Sequence, residues 1–224
     1  MSWLKWLKPA SSAPSPYETI RRMRLTMAGW SEQKPNGNMR IWNDTEGNAL
    51  SLNGVPNHDI SRLASDPAWD ARGWARELAE DRPAGLIEAD RVPGPAGSAV
   101  RLIYKRLELP AYIYTGMFIF PANGVDMVWT VVAGERDLTG EREAIVTKEL
   151  FDQGKLKTIG DYERSWAQDP YDPDYSGVDR SLLRFISDDE SYDQQFPQHP
   201  LSLVRQVLRD LPKCMKLEPT SLNT

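Results

Sequence analysis

The chain has 224 residues, 40% of them apolar, and 27 Lys/Arg against 32 Asp/Glu for a net charge of −5. That apolar share supports one compact domain with appendages, and the acidic balance argues against nucleic acid as the main ligand. The only cysteine, Cys214, excludes an internal disulfide and a thiolate metal centre, and no run reaches the roughly 18 apolar residues that a spanning helix needs.

The charge is unevenly spread. Residues 1–40 carry seven Lys/Arg and two Asp/Glu, a net of +5, whereas residues 166–199 carry eight acids and two arginines, a net of −6. The start, "MSWLKWLKPASSAPSP", lacks the apolar centre of a signal peptide, because Lys5 and Lys8 interrupt it. At helical spacing Trp3, Leu4, Trp6 and Leu7 share an arc with the lysines opposite, so this segment either docks on the protein's own surface or touches a membrane or partner. "PASSAPSP" is a linker by composition.

Residues 39–53 read as strand, turn, strand, with the turn at Gly47-Asn48. "SDPAWDARGWARELAEDRP" predicts a helix capped by Asp66, opened by Pro67 and stopped by Pro83, with Ala71, Trp74, Ala75 and Leu78 as its apolar stripe. Trp69 falls on the opposite face among Arg72, Arg76 and Glu80, where it is either covered by a tail or marks a binding surface. Three antiparallel strands follow, at about 99–106, 111–120 and 125–133. The middle one, apolar on both faces from Tyr112 to Phe120, should be central and covered by helices.

"LTGEREAIVTKELFDQGK" predicts a second helix, with Thr139 as cap, Glu141 favouring the N-terminal dipole and Gly154 ending it. Glu141, Glu143 and Glu149 read as a solvated face. Arg136 and Arg142 beside this helix start could hold an anion, but the first-turn acids oppose one. A Pro/Asp/Tyr-rich stretch then leads to a last amphipathic helix carrying Leu201, Val204, Leu208 and Leu211.

"DPYDPDYSGVDRSLL", 169–183, invites a test as a calcium loop. With Asp172 first, the glycine falls correctly at Gly177, but the position that needs a bidentate carboxylate is Leu183. The better reading is an ordered acidic connection whose aspartates accept from nearby backbone N–H groups. His58 and His199, the only histidines, sit in loop contexts without a metal or nucleophile motif. No phosphate-binding glycine loop occurs, so the reading holds no cofactor, no metal site and no catalytic residue.

The element order, with "LSLNG", "IYTGMFIFPANGVDMVWTVVAGE" and "TGEREAIVTKEL", resembles the Mog1/PsbP-like α/β/α sandwich over about residues 38–160. The resemblance, to uncharacterised bacterial proteins of that kind, implies an α+β fold, an antiparallel β-sheet flanked by helices. Members of that fold tend to be binders: small-GTPase regulators, photosystem accessory subunits and adaptor chaperones. The expected organisation is a basic N-terminal segment and linker (1–37), a sandwich core (38–165) and an acidic extension with a terminal helix (166–224). The expected function is a non-catalytic protein-binding, adaptor or chaperone-like accessory role, with Trp3, Trp6 and Trp69 as partner-binding candidates. Two alternatives are a cytoplasmic protein peripheral to the inner membrane through residues 1–8, and a carboxylate-based hydrolase with converging acids in a pocket.

Overall fold

The computed structural model describes residues 16–34, 39–56, 66, 70–80, 84–95, 97–136, 139–158, 166–177 and 179–218. Seven paired strands dominate the middle of the described chain. Strands β3 (Arg40–Asn43) and β4 (Ala49–Pro56) form the first hairpin, turned by Gly47 at φ 77°. Strands β5 (Gly85–Gly94), β6 (Gly97–Glu108), β7 (Ala111–Ala122) and β8 (Val125–Gly134) run as an antiparallel meander. With β2 (Ser31–Glu32) at one edge, they make a seven-stranded sheet in the order β2-β3-β4-β8-β7-β6-β5. The expected three-strand core is present, and β7 lies between β6 and β8 as its two-sided apolar run requires.

Periodicity gives no strand between Pro83 and Ala99, yet β5 is there. A register shift between Leu86 and Glu88 puts Leu86 and Ile87 in succession inside the protein. Such a bulge breaks the alternation by which a strand is recognised.

Of the four helices among the described residues, three cover the sheet. Helix α1 (Pro16–Arg22) and helix α4 (Pro200–Cys214) share one face, where Ile20, Leu201, Val204, Leu208 and Leu211 pack against Leu50, Phe118, Met127 and Trp129. Strands β1 (Met23–Leu25) and β11 (Met215–Leu217) pair and tie the two ends of the described chain together. Helix α2 (Ala71–Glu80) covers the other face through Ala71 and Ala75, against Leu86, Val100, Leu102 and Ile119. Its head is Asp70, whose carboxylate accepts from the Arg72 N–H at 2.9 Å. The proposed start at Pro67 lies outside the described residues.

Helix α3 (Glu141–Asp152) packs chiefly on the chain that follows it. Val146 and Leu150 form a third cluster with Trp166, Ala167, Leu183 and Phe185, around the short pair β9 (Ala167–Gln168) and β10 (Arg184–Phe185). The expected cap, Thr139, does not cap it. The N-cap is Gly140 in left-handed conformation, φ 80°, with no side-chain cap. A carboxylate from outside the helix, that of Glu135, accepts the Gly140 N–H instead.

Helix α4 packs directly on the sheet at Gly116. A Cβ there would stand 2.5 Å from Val204 Cγ1 and 2.8 Å from Leu208 Cδ1, so only glycine admits the helix at this distance. Leu208→Ala, which empties this contact, is expected to cost about 2–5 kcal/mol of unfolding free energy. Urea denaturation measures it, and a loss well under that range would mean α4 is not the main cover of this face.

Candidate ligand cleft at the end of the sheet

A cleft of about 590 Å³ opens where the β3–β4 turn, the end of β8, the start of α3 and the loop before α4 meet. Three side chains from three of these elements converge at and behind its inner wall, Glu135 and His199 lining the cleft and Glu143 lying beneath them. Glu135 follows β8, Glu143 lies in the first turn of α3, and His199 is the N-cap of α4. They offer carboxylate and imidazole atoms that all lie within 4.8 Å of one another.

The local sequence explains each placement. Glu135 is fixed because its Oε2 accepts from the Tyr112 N–H at 3.1 Å and its Oε1 from the Gly140 N–H at 3.4 Å. Its side chain is 4% exposed and that of His199 9% exposed. His199 precedes Pro200, the first residue of α4, and its Nδ1 accepts from the Leu201 N–H at 3.2 Å. The imidazole meets the Tyr114 ring edge-on, with centroids 5.3 Å apart.

A buried ionic network stands behind this wall. Lys105, in the middle of β6, donates to Asp188 Oδ2 at 2.8 Å, and both side chains are 0% exposed. The Lys105 ammonium also sits over the Phe185 ring, 3.2 Å from its centroid. Burial pulls the Lys105 pKa below its ordinary value despite Asp188. Burial opposes ionisation of Asp188 too, but the charge and hydrogen bond of Lys105 and the Phe185 N–H carry its carboxyl below the usual range. The Asp188 carboxylate, with two donors, stays ionised, and the two residues form an ion pair.

Two arginines lock the segment that carries Asp188. Arg142 donates to the carbonyls of Ser187 (2.6 Å) and Asp189 (3.0 Å), to Ser202 Oγ (3.0 Å) and to Asp193 Oδ1 (3.1 Å). Arg205 donates to Glu88 Oε1 and to the Asp188 carbonyl, each at 2.5 Å, and to Asp193 Oδ1 at 2.8 Å. The anion-holding role considered for Arg142 is therefore filled internally, and Arg136 is held by Glu46 at 3.1 Å and Asn48 at 3.3 Å.

Glu143 corrects the expectation of a solvated helix face. Neither of its oxygens has exposed surface or a hydrogen-bond donor. Burial first, then the nearby charges of Asp188 and Glu135, push its pKa from 4.5 to about 7. No local sequence signal marks it, because what buries it is the 186–202 segment. His199 has one such signal: a polar residue directly before proline is a helix head.

The three residues could suggest a metal centre, but the histidine does not fit one. Its Nδ1 accepts a backbone N–H and so carries a lone pair, which places the imidazole proton on Nε2. That nitrogen faces Glu135 Oε1 at 3.4 Å and is protonated, whereas a metal ligand must be bare.

Trp3, Trp6 and Trp69, the partner-binding candidates, lie outside the described residues, as does His58. In the acidic connection, Asp169 accepts from the Tyr171 and Asp172 N–H groups and from Arg76, and Asp179 accepts from Ser181 N–H. Those carboxylates hold turns, as read from the sequence.

No family model and no curated protein matches the sequence. Among solved structures the chain is similar to the Saccharomyces cerevisiae Ran-binding protein Mog1p, at 10% identity over 90% of this chain and 93% of that one, with a TM-score of 0.49. A Pseudomonas aeruginosa protein of unknown function is similar over 61% of this chain and 81% of that one, at 11% identity and TM-score 0.32. LpqN of Mycobacterium tuberculosis, involved in cell envelope biogenesis, is similar over 60% and 78% at 13% identity and TM-score 0.30. These likenesses concern the fold alone, the α+β arrangement of a helix-flanked antiparallel sheet that resembles Mog1.

Glu143 sets a pH dependence. Its folded pKa is raised, from 4.5 to about 7, so the folded state holds a proton that the unfolded chain has already lost within that window. Stability is then full below the unfolded value and falls as pH rises through the folded one. Urea midpoints at about pH 5 and about pH 8 should differ in that direction, and Glu143→Gln should flatten the difference. Separately, Lys105→Met leaves Asp188 charged without its partner and should cost about 3–5 kcal/mol. The double variant with Asp188→Leu should recover much of that loss in the same assay.

Proposed function

We propose that this chain is a non-catalytic accessory protein that binds a protein partner through the cleft at the end of the sheet. The observation that carries the reading is the contrast between the open cleft and the closed state of its polar groups. Among its described lining residues there is no serine, threonine, cysteine, lysine or tyrosine, which leaves carboxylates and one histidine as candidate nucleophiles. The one histidine spends Nδ1 on a helix cap, and its Nε2 has no exposed surface. Glu135 already accepts two backbone N–H groups. What remains is shape and charge, which suit recognition. The resemblance to Mog1 agrees with this reading but lends it no weight of its own.

One feature favours a second reading, a carboxylate-based hydrolase. Glu143 is held at about 7, the range of a general acid or base, beside a second carboxylate. Against it, a proton carrier must come within about 3 Å of the reacting group, and both Glu143 oxygens are sealed from solvent. Membrane attachment through Trp3 and Trp6 stays compatible with binding at the cleft. Among the described residues no helix is long and apolar enough to cross a membrane.

Photo-crosslinking in the protein's own cells tests the proposal. A benzophenone amino acid replaces exposed Gln198 on the cleft rim or, as a control, exposed Asp174 in the acidic connection. A discrete protein adduct from position 198 and not from 174 is expected. Equal adducts from both, or none, would remove the cleft as a partner site. Turnover of chromogenic ester or glycoside substrates that Glu143→Gln abolishes would install the hydrolase reading instead.

A further inference from the structure

The cleft's charge says what kind of group it accepts. Its lining holds four carboxylates, Asp44, Glu46, Glu135 and Glu141, against two guanidinium groups, Arg136 and Arg142. Arg142 is turned inward and fully engaged by Ser187, Asp189, Asp193 and Ser202, while Arg136 is tied to Glu46. Asp44 is occupied by the β3–β4 turn, accepting from the N–H groups of Glu46 and Asn48. The surplus negative charge therefore falls on Glu135 and Glu141, on the α3 side.

Buried atoms at the same wall lack partners. Both Glu143 oxygens and the Tyr114 hydroxyl have no hydrogen-bond partner, although the Tyr114 side chain is fully buried, whereas His199 Nε2 faces Glu135 Oε1 at 3.4 Å. A buried carboxylate without a donor is costly. A metal ion is disfavoured by the protonated Nε2 of His199. A guanidinium or ammonium on a flexible side chain brings several N–H donors together with the missing positive charge.

We infer that the cleft receives the cationic tip of an arginine or lysine side chain from the partner protein, seated between Glu135 and Glu141 with Glu143 behind it. The inference rests on the protein-binding reading and names the chemistry of the partner. It also carries a signature that a merely acidic surface lacks. Glu143 is faced by Lys105 from β6, Tyr112 and Tyr114 from β7, Glu135 after β8, Asp188 from the 186–188 turn, His199 at the head of α4 and Arg142 on its own helix. A cation arriving there favours the ionised form of Glu143, so binding releases a proton and tightens as pH rises through the raised pKa of that group.

The test uses a short acetylated, amidated peptide with one arginine flanked by glycines, and the same peptide with uncharged citrulline in its place. Each is titrated into the full chain and followed by amide chemical shifts. The arginine peptide should move the signals of residues 135, 140–143 and 195–199, and the citrulline peptide should not. Affinity should rise between about pH 6 and about pH 8, and this rise should vanish in Glu143→Gln. Glu141→Arg should weaken binding by about tenfold, the scale of one lost charged contact. Asp174→Lys, which changes the net charge equally, should leave it intact. Glu141→Gln serves if the arginine variant does not fold. Equal binding of the two peptides, shifts elsewhere, or equal weakening by the Glu141 and Asp174 variants would overturn the inference. Because the probe is synthetic, that outcome is distinguishable from a failure to find a cellular partner.

Discussion

A lysine in the middle of a buried strand governs how this fold is completed. Lys105 lies between Gly85 of β5 and Tyr114 of β7 as its cross-strand neighbours, and it has no access to water. An ammonium cannot be left there alone, since the desolvation cost is several kcal/mol per ion. Asp188 and the face of Phe185 supply its partners, and both come from a segment some eighty residues later in the chain. The sheet is thus completed only when residues 185–188 are docked against it. Arg142 and Arg205 serve that docking. Their forks take the carbonyls of Ser187, Asp188 and Asp189, which would otherwise be stranded between α3 and α4.

This arrangement fixes position more than it adds stability. A buried ion pair gains little over well-packed apolar residues, but it tolerates one register only. Here that register matters because the same segment leads directly into His199 and α4. If residues 186–193 shifted, the helix head would leave Glu135 and Glu143, and the inner wall of the cleft would come apart. The cleft's geometry is in this sense set by Lys105, from the far side of the network.

The legible part of the fold is the part governed by local periodicity. Strands β6 to β8 follow from alternation and bounding prolines, and α4 from Leu201, Val204, Leu208 and Leu211, all of which are buried as their spacing implies. Where a tertiary contact overrides the local pattern, the sequence is silent. Strand β5 is masked by its bulge at Leu86–Glu88. Thr139 looked like a cap because local chemistry favours it, yet Glu135 takes the Gly140 N–H from across the turn. Ile20 and Met23 follow a proline-rich linker but belong to the main core, held there in part by Arg40, which donates to the Met23 carbonyl and pairs with Glu32. The candidate site was the least legible of all. Glu135, Glu143 and His199 share no motif, and Glu143 is indistinguishable in sequence from its exposed neighbour Glu141.

The balance of charge within the network bears on where the proposed ligand would act. Lys105, Arg142 and Arg205 face Asp188, Asp193, Glu88, Glu135 and Glu143. On the closed side, each cation has a carboxylate or carbonyl at hydrogen-bond distance. The excess of acid is displaced to the open side, onto the pair that borders the cleft. A protein under selection for stability alone would remove it, by placing glutamine at 143 or a basic residue at 141. Retaining an uncompensated carboxylate where the interior meets solvent lowers stability near neutral pH, because Glu143 must either bind a proton or stay charged without a donor. Such a cost is characteristic of sites that await a ligand. Among the described residues Lys105, Arg142 and Arg205 are already engaged, which is why the proposed cation is one that a partner brings.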